Sequence, residues 1–299
     1  MRIVIAYLSV IVLWATTPLA IKWSAEGIGF VFAASSRIML GTFCMLALLT
    51  LRRQVLPSNI KAKKTYFAIS LQIYGTMMLV YWGAQFIPSG WISLIFGLSP
   101  FITAIFAAIW LKERSLTFGK ILSYFLGVSG LGVMFSSAIQ LSYTALFGMI
   151  SVLIAVSIQT ASAVWVKRID AKLPAVTQVT GGLLFTMPTY LASWILLDDA
   201  QWPEHLSIIN ISTILYLGVV ATTIGFVLYY YVLIHLSATS VGMIPMISPV
   251  IALYLGFAIN HEPFTLKVAI GTVLILSALC IHEFFDRFII FVNNIFARH

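Results

Sequence analysis

The chain has 299 residues, 61% hydrophobic and only 9% charged, where soluble domains run at about 45–50% apolar and 25% charged. This composition excludes a single water-soluble globule and an ordinary disordered chain, and the length has room for about ten membrane spans of roughly 20 residues. The formal net charge of +8 would suit a nucleic-acid ligand, but the placement of the basic residues points elsewhere.

Arg2 followed by an apolar run to Ala20 has the outline of a secretory signal. The run is longer than the usual signal core of about 7–15 residues, so a first transmembrane helix is expected instead. Apolar windows then predict ten spans, at 3–23, 29–51, 65–86, 90–111 and 118–136, and at 144–166, 176–197, 209–234, 240–259 and 264–282. They take up about three-quarters of the chain, and no soluble domain fits between them. Each must be helical, because a backbone in lipid has to satisfy its own hydrogen bonds.

Charge sets the orientation. Numbered alternately from the N-terminus, one set of loops holds Arg2, Arg52, Arg53, Lys61, Lys63, Lys64, Lys112, Arg114, Lys167, Arg168, Lys172, Arg287 and Arg298. The opposite loops carry Glu26, Asp198, Asp199, Glu204 and Glu262, with Lys22 and Lys267 near helix ends. The positive-inside rule places both termini in the cytoplasm. The basic charge then serves topology and anionic headgroups, and no nucleic-acid role is expected. Cys44 and Cys280 form no metal or redox spacing and read as packing residues.

The chain also repeats itself. A shift of 149 residues brings Tyr81 onto Tyr230, Ser99-Pro100 onto Ser248-Pro249 and Glu113 onto Glu262. Five spans per repeat is an odd number, so the second copy would enter the membrane from the opposite side. Inverted repeats are a recurrent construction of secondary transporters, with a substrate site near mid-bilayer. The expectation is an all-α membrane protein of ten helices in two inverted five-helix repeats, 1–137 and 138–283. A cytoplasmic or interfacial tail, 284–299, would follow.

On these residues the chain resembles the drug/metabolite transporter superfamily, in its ten-helix EamA type. The resemblance is carried by WATTPLAIKW in the first span, SSRIMLG in the second, SGWISLIFGLSPFITAIFAAIWLKERSLTFGKILSYFLGVSGLGVMF and its second copy ATSVGMIPMISPVIALYLGFAINHEPFTLKVAIGTVLILSA. The proline-to-glutamate spacing recurs in both halves, although Pro263 stands where Arg114 follows the first glutamate. The resemblance implies export or exchange of small metabolites, often amino acids, across a bacterial inner membrane. It also implies a cavity lined by helices one to four and six to nine, with five and ten as outer supports.

Every Asp and Glu lies outside the ten spans. A simple organic cation held by a buried acid is therefore not the expected substrate. Glu113 and Glu262, at helix ends, read either as titrating groups or as structural acids that pair with a base or cap a helix. Arg37 is the one charge well inside a span. It reads as the partner of a substrate carboxylate or as a structural donor to nearby oxygens. Trp14, Thr17, Tyr81, Gln85, Gln159 and Tyr230 complete the predicted lining, supplying stacking area and hydrogen bonds. Pro100, Pro245 and Pro249 are predicted gating positions, since a proline inside a helix breaks its hydrogen-bond ladder. Gly119, Ser123 and Gly127, four residues apart in the fifth span, read as a close-packing face.

No phosphate-binding GxxxxGKS motif is present, so direct drive by ATP is not expected, and no cofactor is implied. The expected partners are a small-molecule substrate and the lipid bilayer. An exchanger of phosphorylated or nucleotide-linked metabolites would need several deep Lys or Arg residues. An intramembrane enzyme would need a central acid pair, Ser-His or metal ligands.

Overall fold

The computed structural model describes residues 2–111, 118–237, 240–241, 244 and 248–296. Among them there is no strand. The first two helices, α1 (Arg2–Ala25) and α2 (Phe30–Leu51), coincide with the first two predicted spans. At 24 residues α1 is about 36 Å long, enough to cross a hydrocarbon core of about 30 Å. Gly27 and Gly29, with φ of +76° and +80°, turn the chain between them in a conformation that side chains disfavour.

The third span is not one α-helix. It runs as α3 (Ile60–Leu71), a π-helical segment Gln72–Thr76, and α4 (Met77–Gly83). The eighth is built alike, as α10 (Ile208–Leu215), a longer π segment Tyr216–Gly225, and α11 (Phe226–His235). The fourth span divides into α5 (Ser89–Phe96) and α6 (Ser99–Trp110). Pro100 explains the division. Its ring collides with the carbonyl four residues back in a continuous helix, and that residue is Phe96, where α5 stops. At the start of α6 its missing N–H is harmless.

Helices α7 (Phe118–Leu141), α8 (Tyr143–Ile169), α9 (Ala175–Leu197), α12 (Ser248–Asn260) and α13 (Leu266–Phe296) follow. Ten helical segments thus stand where ten spans were predicted. Helix α13 continues through most of the stretch expected as a tail. Its 31 residues reach about 46 Å, beyond the hydrocarbon thickness.

Large apolar side chains such as Phe43, Phe125, Phe147 and Leu197 stand more than half exposed on the outside. Water would penalise that surface and acyl chains do not. Inside, α1 touches α2, α4, α5, α10, α11 and α12, while Val4, Leu8 and Val12 in its first half stay more than half exposed. Helices α7 and α13 pair along their length. A Cβ on Gly130 would lie 2.9 Å from the Gly271 carbonyl, so only glycine permits this approach. The predicted small-residue face of α7 packs as expected. Gly119 backs onto Phe285, Gly127 backs onto Phe101, and the Ser123 hydroxyl lies 3.2 Å from His282 Nδ1.

The irregular points recur at the spacing of the sequence repeat. The two π segments end at Thr76 and Gly225, 149 residues apart. Lys22 donates to the Ile87 carbonyl at 3.3 Å, and Lys167 donates to the Ile234 carbonyl at 3.4 Å.

Candidate functional site

Four of the predicted lining residues meet at one central cavity. Trp14 and Thr17 come from α1, Arg37 from α2 and Gln159 from α8. Ser93 of α5 and Ser248 of α12 close the cavity from two further helices, and the remaining wall is mostly apolar. Trp14 lies about 18 Å along α1 from Arg2, which puts the cavity near mid-membrane. Its volume is about 50 Å³, room for a few waters. A metabolite enters only if the helices move apart.

The polar groups there are unevenly satisfied. Arg37, 2% exposed, donates from Nε to the Thr222 hydroxyl at 2.9 Å and from Nη1 to the Met77 sulfur at 3.6 Å. The π segment of the eighth span turns Thr222 toward it; its neighbour Thr223 bonds five residues back to the Gly218 carbonyl. Arg37 has no acidic partner among the described residues. The Gln159 amide, 5% exposed, has no hydrogen-bond partner among them either. Thr17 donates to the Leu13 carbonyl at 2.6 Å.

The other predicted lining residues lie elsewhere. Tyr230 is fully buried and donates to Gln72 at 2.6 Å, tying the eighth span to the first π segment. It is Tyr229 that Trp14 meets, with ring centroids 5.1 Å apart and planes at 31°. Tyr81, also buried, and Gln85, exposed, border a separate hollow of about 350 Å³ with Lys22, Trp23, Glu26 and Asn260. Pro100 sits in the first turn of α6, and Pro249 lies in α12. Pro245 lies outside the described residues, as does Glu113. Tyr230→Phe removes one buried hydrogen bond, so a loss of about 1 kcal/mol in stability is expected. Thermal melting of the purified protein checks it.

Glu262 shows a structural arrangement. Its carboxylate accepts from the Ser89 backbone N–H at 2.9 Å, the Ser89 hydroxyl at 3.0 Å, the Gly90 N–H at 3.4 Å and Asn260 Nδ2 at 2.8 Å. Lys22 Nζ lies 3.5 Å away. One acid thus caps the start of α5 and fastens it to α1 and to the loop after α12. This is the end where the predicted external loops gather.

At the opposite end a vestibule of about 890 Å³ opens among α1, α3, α8, α9 and α11. Arg2, Arg52, Lys167 and Lys172 border it against a single carboxylate, Asp170. Along α1 the Trp14 ring stands between Ser9 of the vestibule and Thr17 of the cavity. On α11 its partner Tyr229 lies among Val227, Leu228 and Tyr231 of the vestibule, next to Phe226 of the cavity.

The sequence reading missed Thr222, Ser93 and Ser248. Ser248 carried a signal in the repeated Ser-Pro pair. Thr222 carried none, because a π turn leaves no mark on an apolar run.

The model of the EamA-like transporter family matches the chain twice, over residues 1–136 and 146–282. The chain belongs to the EamA-like transporter family. It is a multi-pass membrane protein of the drug/metabolite transporter superfamily. Among its EamA relatives, the uncharacterized transporter YoaV of Bacillus subtilis is 24% identical, covering 95% of this chain and 97% of its own length. An uncharacterized transporter of Archaeoglobus fulgidus is 25% identical, over 90% of this chain and 94% of its own. A crystal structure with 17% identity superposes with a TM-score of 0.71, over 96% of this chain and 99% of that one, and shares the fold.

Proposed function

We propose that this EamA protein is a secondary transporter, not an enzyme, exporting or exchanging small amphipathic metabolites, amino acids among them, by alternating access. The observation that carries this is the central cavity, where Trp14, Arg37 and Gln159 converge from three helices at mid-membrane. It lies beyond a wide vestibule at one end and a tied-down network around Glu262 at the other.

The two halves are read as inverted five-helix repeats that rock about this cavity. The paired π segments support that reading. In this arrangement Pro100 and Pro249 mark one movable helix in each half. Solute reaches the cavity past the Trp14–Tyr229 pair. Release at the other end requires α5 to part from Glu262.

Both termini and the vestibule are assigned to the cytoplasm of a bacterial inner membrane, on the placement of the basic residues. A cysteine replacing Lys64 is expected to resist a membrane-impermeant thiol reagent in sealed cells, and one replacing Glu204 to react. Both positions are exposed. The reverse pattern overturns the orientation.

Counterflow of a labelled metabolite panel into liposomes holding the purified protein tests transport itself. Accumulation of at least one solute above empty liposomes is expected. No accumulation of any panel member counts against the reading.

A further inference from the structure

The geometry points to a substrate class: a monoanionic carboxylate with an apolar body and no free ammonium group, such as an N-acylated amino acid. This rests on the transport reading above and narrows it to solutes whose amino group is blocked or absent, so the free amino acids of the broader reading are expected to bind more weakly.

The first ground is Arg37. A guanidinium taken out of water is costly unless an anion pairs with it. Here its partners are a neutral hydroxyl and a thioether, and Nη2 has no hydrogen-bond partner among the described residues. No carboxylate borders the cavity. Among the described residues the site therefore holds a positive charge that no acid offsets and a donor edge with no partner, suited to the planar oxygens of a carboxylate.

The second ground is Gln159. Its amide borders the cavity and has no hydrogen-bond partner among the described residues, so it is open to a ligand. A ligand amide or hydroxyl satisfies it. The hydroxyls of Ser93 and Ser248, also without a partner among the described residues, border the same cavity, and neither is charged.

An ammonium group finds no carboxylate among the lining residues. It would be held only by neutral oxygens and the Trp14 ring, and it would be repelled by Arg37. The approach favours the same charge. Asp170, the one carboxylate bordering the vestibule, is already paired with Lys172 at 2.9 Å, so the mouth is net positive and concentrates anions.

Three probes of similar shape separate the cases: N-acetylphenylalanine, an anion; phenylalanine, a zwitterion; and phenylethylamine, a cation. Binding is measured on the full-length protein in lipid nanodiscs. The anion is expected to bind tightest, with phenylalanine weaker by about tenfold or more. Arg37→Gln should weaken the anion by about 10- to 100-fold, the contribution of a charge-assisted hydrogen bond. If that variant does not fold, Arg37→Lys should keep the anion first in rank with reduced affinity. The assignment is overturned if phenylalanine or phenylethylamine ranks first, if none of the three binds, or if folded Arg37→Gln binds the anion as the parent does. Counterflow of any panel solute then leaves the transport reading standing, and its absence sinks both.

Discussion

Replacing Glu262 with alanine is expected to lower the stability of the purified protein by about 3 kcal/mol, the lower end of the range for breaking a buried ion pair. The carboxylate is 9% exposed and serves two backbone N–H groups, one hydroxyl, one amide and Lys22. Alanine strands all of them. Lys22 keeps the cost at that lower end, because its side chain is 33% exposed and water takes over part of the charge. The melting temperature should fall by roughly 5–10 °C, on the scaling for large domains. Glu262→Gln keeps an acceptor for Ser89 and should lose about half as much. An unchanged melting temperature in Glu262→Ala would show that α5 is held to α1 by packing alone.

Truncating Trp14 should have a large effect on transport. The ring contacts Tyr229 and borders the cavity, so on the proposed reading Trp14→Ala removes the stacking surface for solute. An aromatic pair supplies about 0.5–1.5 kcal/mol beyond its buried area. The upper value corresponds to about tenfold in rate, and counterflow should fall by at least that. Trp14→Phe should recover most of the flux. Wild-type flux through a folded Trp14→Ala protein would remove the residue from the pathway.

Much of the fold was legible because the bilayer imposes a simple code. Ten apolar windows became ten helical segments, since lipid leaves a spanning backbone no other partner than itself. What the windows hid was the internal breaks. The division at Gly97-Leu98 follows from Pro100, but the π turns at Gln72–Thr76 and Tyr216–Gly225 sit in unremarkable apolar sequence. Their effects are specific: one presents Gln72 to Tyr230 and the other presents Thr222 to Arg37.

The site was legible in part for the same reason. Trp14, Thr17, Arg37 and Gln159 stood out as polar or aromatic groups at depth, and depth is countable along a helix. Tyr81 and Tyr230 stood out equally, yet they face other partners, because counting along a helix gives height and not the direction of a side chain. Glu262 had two readings from sequence. Only the approach of Ser89 from a span far away in the chain shows the carboxylate fully engaged in structure.

Alternating access is the centre of the account, and Ser93 tests it most directly. Its side chain borders the cavity and is 4% exposed. A Ser93→Cys protein, with Cys44 and Cys280 changed to serine, is placed in vesicles and treated with a membrane-impermeant thiol reagent from one side or the other. Reaction from each side in turn is expected, as the halves expose the cavity alternately. Reaction from the vestibule side alone, under conditions where the protein transports, would contradict it.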